Sequence, residues 1–305
     1  MGMFLPLSRL KSYMSLANKI VLITGASGGI GASTAKAFDH KGAKICIASR
    51  RKEKLEQLAV QLNDPLIIPV DLSEEIQVKM MIDEVIAKFG KIDILINNAA
   101  SIIVSPAEKV TTEDMIKAFR VNLIAPMITI QQALPYMRKQ RRGQIINVGS
   151  PGYMMGVPFY ASYVCSKAAL SAFTRTVQAE WAGTEIIVSE YLPGYIKTGS
   201  QPESRMGEIN QDLLMSTKQN FLARTFAKPK TAENVAKQLV KLAEHPKMLA
   251  YSSFTIKLGA YISNISSVRL SIAKQMARTA RLKLGIKVFE DSQQSAVGSQ
   301  QSINK

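Results

Sequence analysis

The chain has 305 residues, 47% hydrophobic and 20% charged, a balance that describes one large globular domain or two small ones and excludes a disordered or fibrous chain. Two cysteines (Cys46, Cys165) and two histidines (His40, His245), all distant in sequence, disfavour a disulfide scaffold, a zinc cluster and a histidine-based triad. The formal charge of +16 favours anionic partners such as phosphates, acidic lipid or nucleic acid without choosing among them, while no apolar run reaches the roughly 18 residues of a membrane-spanning helix.

Short runs rich in Val and Ile alternate with segments of helical period from about residue 19 to 260, the pattern of a doubly wound α/β domain with a parallel sheet. The predicted strands are Lys19–Thr24, Ala43–Ala48, Leu66–Val70, Ile92–Asn97, Gln144–Gly149, Glu185–Tyr191 and Phe254–Leu258. Most are apolar on both faces, as a sheet covered by helices requires. Val78, Ile82, Val85 and Phe89 recur at helical spacing and should lie on the sheet. Residues 1–17 read as an N-terminal extension, and residues 18–260 as the domain, with an amphipathic lid expected over 199–225. Residues 261–289 read as a basic helical extension and 290–305 as a disordered tail.

After the first strand, Thr24-Gly25-Ala26-Ser27-Gly28-Gly29-Ile30-Gly31 leads into a helical run. Glycines let the backbone approach a pyrophosphate closely, and free amides at the helix start offer it donors, so this loop is expected to hold a dinucleotide. An NAD-binding unit usually has an acid at the end of the second strand. This chain has Ala48-Ser49-Arg50-Arg51 there, so Ser49 and Arg50 are expected to read the 2′-phosphate of NADP, with NAD less favoured.

Tyr163 and Lys167 stand four residues apart in a helical segment and share one face. An ammonium about 4 Å from the phenol, at an effective dielectric near 20, favours the phenolate by about 4 kcal/mol. That is roughly three pK units, enough to bring the tyrosine toward neutrality for proton exchange with a carbonyl or hydroxyl oxygen. Ser150, thirteen residues before Tyr163, could donate to the same oxygen. Cys165, about 200° around the helix from Tyr163, reads as packing.

Together these residues resemble the short-chain dehydrogenase/reductase family. The resemblance rests on Thr24-Gly25-x-x-x-Gly29-x-Gly31, Asp71, Asn97-Asn98-Ala99, Asn122, Ser150 with Tyr163-x-x-x-Lys167, and Pro193-Gly194 with Thr198, and it spans about residues 18–260. It implies a Rossmann-type sheet, with Tyr163 as proton donor or acceptor, Ser150 orienting the carbonyl, and Lys167 lowering the phenol's pKa while holding the nicotinamide ribose. It further implies that Asn122 supports a relay water, Asp71 meets the adenine, and Asn98 holds the cofactor region together. The expected cofactor contacts are completed by Thr24, Gly25, Ser27, Gly29, Ile30, Gly31, Leu72, Ala99, Pro193, Gly194 and Thr198. A homodimer or homotetramer is implied as well. Two positions depart from the usual pattern, Ala100 after the Asn-Asn-Ala run and Gly149 before Ser150.

The glycine loop, Arg50, Asp71, Asn97, Ser150 and Pro193 each follow a different predicted strand at its carboxyl end, which in a parallel sheet is one edge and the place where ligands bind. The loop Pro151–Phe159, with Tyr153, Met154 and Met155, suits a hydrophobic alcohol or ketone. Val268, Ile272, Met276 and Thr279 share a helical face opposite Lys274, Arg278 and Arg281, which fits either peripheral contact with an anionic membrane or packing on the body. The expectation is a cytoplasmic enzyme, peripheral at a membrane if that helix binds lipid, with no nucleic-acid partner because no recognised binding motif accompanies the charge. The alternatives are a dinucleotide-binding sensor or scaffold, and epimerase or dehydratase chemistry with the same tyrosine.

Overall fold

The computed structural model describes residues 14–194, 196–197, 203–204 and 230–262, together with residues 271 and 274. Seven strands form one sheet: β1 (Ile20–Thr24), β2 (Lys44–Ser49), β3 (Leu66–Pro69), β4 (Ile94–Asn97), β5 (Gly143–Val148), β6 (Ile186–Leu192) and β7 (Leu249–Tyr251). Their spatial order is β7-β6-β5-β4-β1-β2-β3, and every pairing is parallel. The order reverses at β1 and β4, so the carboxyl ends of those strands open a crevice at the switch point.

The connecting helices are α1 (Gly29–Asp39), α2 (Lys52–Ala59), α3 (Glu75–Phe89), α4 (Thr112–Phe119), α5 (Ala125–Lys139), α6 (Gly152–Met155), α7 (Ala161–Glu180), α8 (Ala232–Glu244) and α9 (Phe254–Ile262). Because β1, β4 and β5 are buried on both faces, the sheet carries two cores. On one side Phe38 of α1 and Val235 and Leu239 of α8 pack with Val21, Ile23 and Ile45. On the other, Val78, Met81, Ile82 and Val85 of α3 and Ala133 and Met137 of α5 pack with Leu22 and Leu95. The expected stripe on α3 is thus the buried one.

Two sequence expectations need correction. Phe254–Leu258 is not a strand: it begins α9, and the seventh strand is Leu249–Tyr251. The Ser253 hydroxyl accepts the Ile256 amide over 3.2 Å, a helix-starting contact that the apolar run concealed. Three residues at a sheet edge carry too short an apolar signal to announce themselves. Cys165 is exposed rather than packed, since its side of α7 turns away from the sheet. The N-terminal extension through residue 13, most of the lid, the lipid-contact face over 268–284 and the tail lie outside the described residues. Within the expected lid, Glu203–Ser204 pairs with Ile103–Val104.

A buried polar line runs across the sheet beneath the crevice. Thr129 of α5 donates to Asn97, Asn97 to Asn147 in the register partner position on β5, and Asn147 to Thr174 of α7, each over 2.9 Å. Groups withheld from water are thereby satisfied, and the line fixes α7 relative to the strand ends.

Candidate active site

Thr24 ends β1 and ties it to β4. Its hydroxyl accepts the amides of Asn98 (3.1 Å) and Ala99 (3.2 Å), and the Asn98 side-chain amide returns a bond to the Thr24 carbonyl over 2.9 Å. Gly25 (φ 70°) and Gly29 (φ 53°) adopt the left-handed region that glycine enters without strain. At Gly31 the requirement is space: a Cβ would lie 2.3 Å from the Gly25 carbonyl oxygen and 2.8 Å from Asn98 Nδ2. The loop therefore folds tightly against the first turn of α1. This cradle fits a dinucleotide pyrophosphate.

At the end of β2 the two arginines diverge. Arg50 faces Asp71, Nη1 to Oδ2 at 4.0 Å, and Arg51 reaches back to the glycine loop. Its Nη2 and Nε donate to the Ser27 hydroxyl over 2.9 and 3.2 Å. Ser49 is buried and accepts the Arg51 amide. Arg51, unassigned from sequence though it adjoins Arg50, is thus a cation beside the glycine loop. Asp71 accepts from the Ser73 amide and hydroxyl. Burial would raise its pKa, but those two bonds, with Arg50 and Lys117 nearby, hold the carboxyl below its ordinary value. Leu72 packs into the core beneath.

Past β5, the Ser150 hydroxyl accepts the Gly152 amide over 3.2 Å and lies near enough to the Tyr163 phenol to act on its pKa. Lys167 emerges one turn further along α7, 2% exposed, and donates to the Val148 carbonyl over 2.7 Å. Burial pushes the Tyr163 phenol up, and the nearby Ser150 hydroxyl only partly offsets this. The acidification expected from Lys167 does not arise in the protein alone, because that ammonium is directed to a main-chain carbonyl. Burial draws Lys167 itself down to about 8, against the opposing pull of the Glu190 carboxylate.

Asn122 lies in a π turn (Arg120–Ile124) between α4 and α5. Its side chain is fully engaged in place: Oδ1 accepts the Ser101 amide (2.7 Å), and Nδ2 donates to the Ser101 carbonyl and the Ser166 hydroxyl, both at 2.9 Å. Pro126, four residues on, has no N–H to offer the Asn122 carbonyl, which is the physical reason the regular ladder breaks here. Val157, Phe159 and Val164 gather with Tyr160 and Tyr163 into a small apolar cluster with Val104. Phe159 adopts φ 68°, an uncommon conformation for a bulky residue, and its carbonyl accepts the Ser105 amide. Gly194 donates to the Ser252 hydroxyl over 2.8 Å beside buried Pro193; Thr198 lies outside the described residues. No group of metal-ligating side chains exists among the described residues.

The family model described as short chain dehydrogenase matches residues 19–208. The chain belongs to that family. It is 35% identical over 191 residues to a 3-oxoacyl-[acyl-carrier-protein] reductase of Thermotoga maritima, covering 61% of this chain and 77% of the relative. A dehydrogenase/reductase SDR family member 7B of Xenopus tropicalis is 29% identical over 273 residues, 85% of each chain. A solved short-chain dehydrogenase from Streptomyces avermitilis superposes with a TM-score of 0.72 at 24% identity, over 87% of this chain and 98% of that one. An alcohol dehydrogenase of Thermococcus sibiricus solved with 5-hydroxy-NADP gives 0.63 at 23%, over 76% and 94%. A Burkholderia phymatum relative solved with NAD gives 0.70 at 21%, over 82% and 94%. These neighbours share the fold, and the Thermococcus and Burkholderia structures hold different dinucleotides. No described helix is long and apolar enough to cross a membrane.

Proposed function

We propose that the protein is an NADP(H)-dependent oxidoreductase that interconverts a hydrophobic carbonyl compound and its alcohol, with Tyr163 as the general acid and base. The observation that carries this reading is the placement of Ser150 at the carboxyl edge of the sheet beside Tyr163, with Lys167 one turn further along α7 and its buried ammonium on the Val148 carbonyl. Bound NADPH supplies a hydride. The Ser150 hydroxyl orients the carbonyl oxygen, and the Tyr163 hydroxyl releases its proton to that oxygen as charge develops there. Lys167 holds positive charge close to the phenol, and the proton is replaced from a relay water that donates to the Asn122 main-chain carbonyl, to which Pro126 has no N–H to offer. Val157 and Phe159 exclude water from the reacting oxygen and favour an apolar substrate.

NADP is favoured over NAD because β2 ends without a carboxylate and with two guanidiniums, of which Arg51 already sits at Ser27. The subunits are proposed to assemble as a homodimer or homotetramer, for which the exposed Met115, Ile116 and Ile124 supply an apolar face. The peripheral membrane contact expected of residues 268–284 is tested by flotation on anionic liposomes with and without residues 264–305. For the activity, the decisive assay offers hydrophobic ketones and aldehydes with NADPH and, separately, with NADH, following loss of the reduced nicotinamide's absorbance. Turnover with NADPH supports the reading. Preference for NADH defeats the cofactor assignment, and inertness toward every carbonyl defeats the reaction.

A further inference from the structure

Glu190 is an acid inside an otherwise buried strand, and its side chain is only 3% exposed. It stands opposite Asn147 in the β5–β6 register. Gly149 makes the room: a Cβ there would lie 2.8 Å from Glu190 Oε1 and 2.7 Å from Leu192 Cδ2, which accounts for the glycine that precedes Ser150. Oε2 accepts from the Ser171 hydroxyl over 3.1 Å, and among the described residues Oε1 has no hydrogen-bond partner. A buried carboxyl left half satisfied costs stability, so its retention beside the reacting groups calls for a compensating role.

The geometry supplies one. Ser171 lies one turn beyond Lys167 on α7, and its oxygen is also 2.9 Å from the Tyr153 hydroxyl. A serine has a single hydroxyl hydrogen. If Ser171 gives it to ionised Glu190, it must accept from Tyr153. One chain of hydrogen bonds thus runs from Tyr153, in the loop after Ser150, to the strand behind Lys167.

We propose that Glu190 is a positioning residue for the reaction assigned above: its carboxylate is the buried counter-charge of Lys167 and, through Ser171, the anchor that holds Tyr153 and the loop beside Tyr163. The inference rests on the assignment of Tyr163 and Lys167 as the working pair. The ionisable groups facing Glu190 are Lys167 and Arg175 of α7, Tyr153 of α6 and Tyr251 of β7. Burial raises the Glu190 pKa, opposed by the Ser171 bond and then by Arg175 and Lys167. In return Glu190 favours the charged form of Lys167 against burial.

Glu190→Gln keeps the shape and removes the charge. The alkaline limb of kcat/KM should move to lower pH, with a several-fold greater loss at about pH 9 than at about pH 6.5. Glu190→Asp should restore the wild-type limb. Tyr153→Phe should raise KM several-fold and leave the limb in place, because it cuts the loop anchor without touching the charge. A second readout is independent of turnover: in free protein labelled with 13C-lysine, the Lys167 midpoint should fall in Glu190→Gln. An unmoved limb together with an unmoved midpoint overturns the proposal. If Glu190→Gln does not fold, the wild type decides: the Glu190 carboxyl carbon should show an inflection where Lys167 loses its proton, and its absence overturns the proposal. Wild-type protein inert toward every carbonyl would instead sink the oxidoreductase reading, while the lysine midpoint would still report the Glu190 charge.

Discussion

Arg51 sets its guanidinium on the Ser27 hydroxyl, with Nη2 at 2.9 Å and Nε at 3.2 Å, and so links the end of β2 to the glycine loop. Its neighbour Arg50 is directed to Asp71 instead. A 2′-phosphate at the end of β2 would therefore meet Arg51 already ordered over the loop. Arg51→Ala removes charge-assisted bonds of about 1.5–3 kcal/mol, so kcat/KM with NADPH should fall roughly 10- to 100-fold while that with NADH changes little. Equal losses with both dinucleotides would show that Arg51 serves the pyrophosphate or the loop rather than the 2′-phosphate.

Gly31 is packed against the Gly25 carbonyl and against the Asn98 side-chain amide, which is itself held by the Thr24 carbonyl. In Gly31→Ala the new methyl would sit 2.3 Å from the Gly25 carbonyl oxygen, and neither the loop nor α1 can retreat without breaking the Thr24–Asn98 contacts. Overpacking of this kind costs about 1–3 kcal/mol. The expected outcome is a lowered Tm and loss of dinucleotide-induced stabilisation. Gly259→Ala in α9 is the control: nothing lies within 4 Å of its added Cβ, so it should be neutral or stabilising by up to about 1 kcal/mol.

Much of this architecture was readable in the chain. Strands buried on both faces leave continuous apolar runs, so β1, β2, β4, β5 and β6 announced themselves, and once the sheet is parallel their carboxyl ends must share an edge. Legibility failed where structure depends on contacts between distant segments. β7 is three residues whose strand character comes from pairing with β6, whereas Phe254–Ile262 is as apolar as a strand but coils after the Ser253 hydroxyl accepts the Ile256 amide. The Tyr163–Lys167 spacing gave the shared face but not the direction of the ammonium, which the Val148 carbonyl decides. Glu190 left a signal that the apolar pattern masked, a lone acid in Ile186–Leu192.

Tyr163→Phe deletes one oxygen, the phenol proposed as the general acid beside Ser150. Loss of the general acid should lower kcat by about 10²- to 10⁴-fold. Dinucleotide affinity, measured by calorimetry, should stay nearly constant because the glycine loop and Arg51 are untouched. Turnover at the wild-type rate would remove Tyr163 from the mechanism.

Carbonyl reduction should also lose efficiency above about pH 8, the value to which burial lowers Lys167. The sign follows from the charge required. A lysine is cationic below its pKa, and the cation favours the phenolate left when Tyr163 gives up its proton. Tyr163 itself, its pKa raised by burial, still carries its proton at that pH and so is not the group that limits reduction first. A plot of kcat/KM against pH reports the free enzyme. For ketone reduction it should be level through neutrality and bend downward near pH 8, and Lys167→Arg, which stays charged, should lose the bend even if its overall rate is low. A wild-type profile still flat at about pH 10, near the ordinary lysine value, would show that Lys167 either retains its proton or is not needed as a cation.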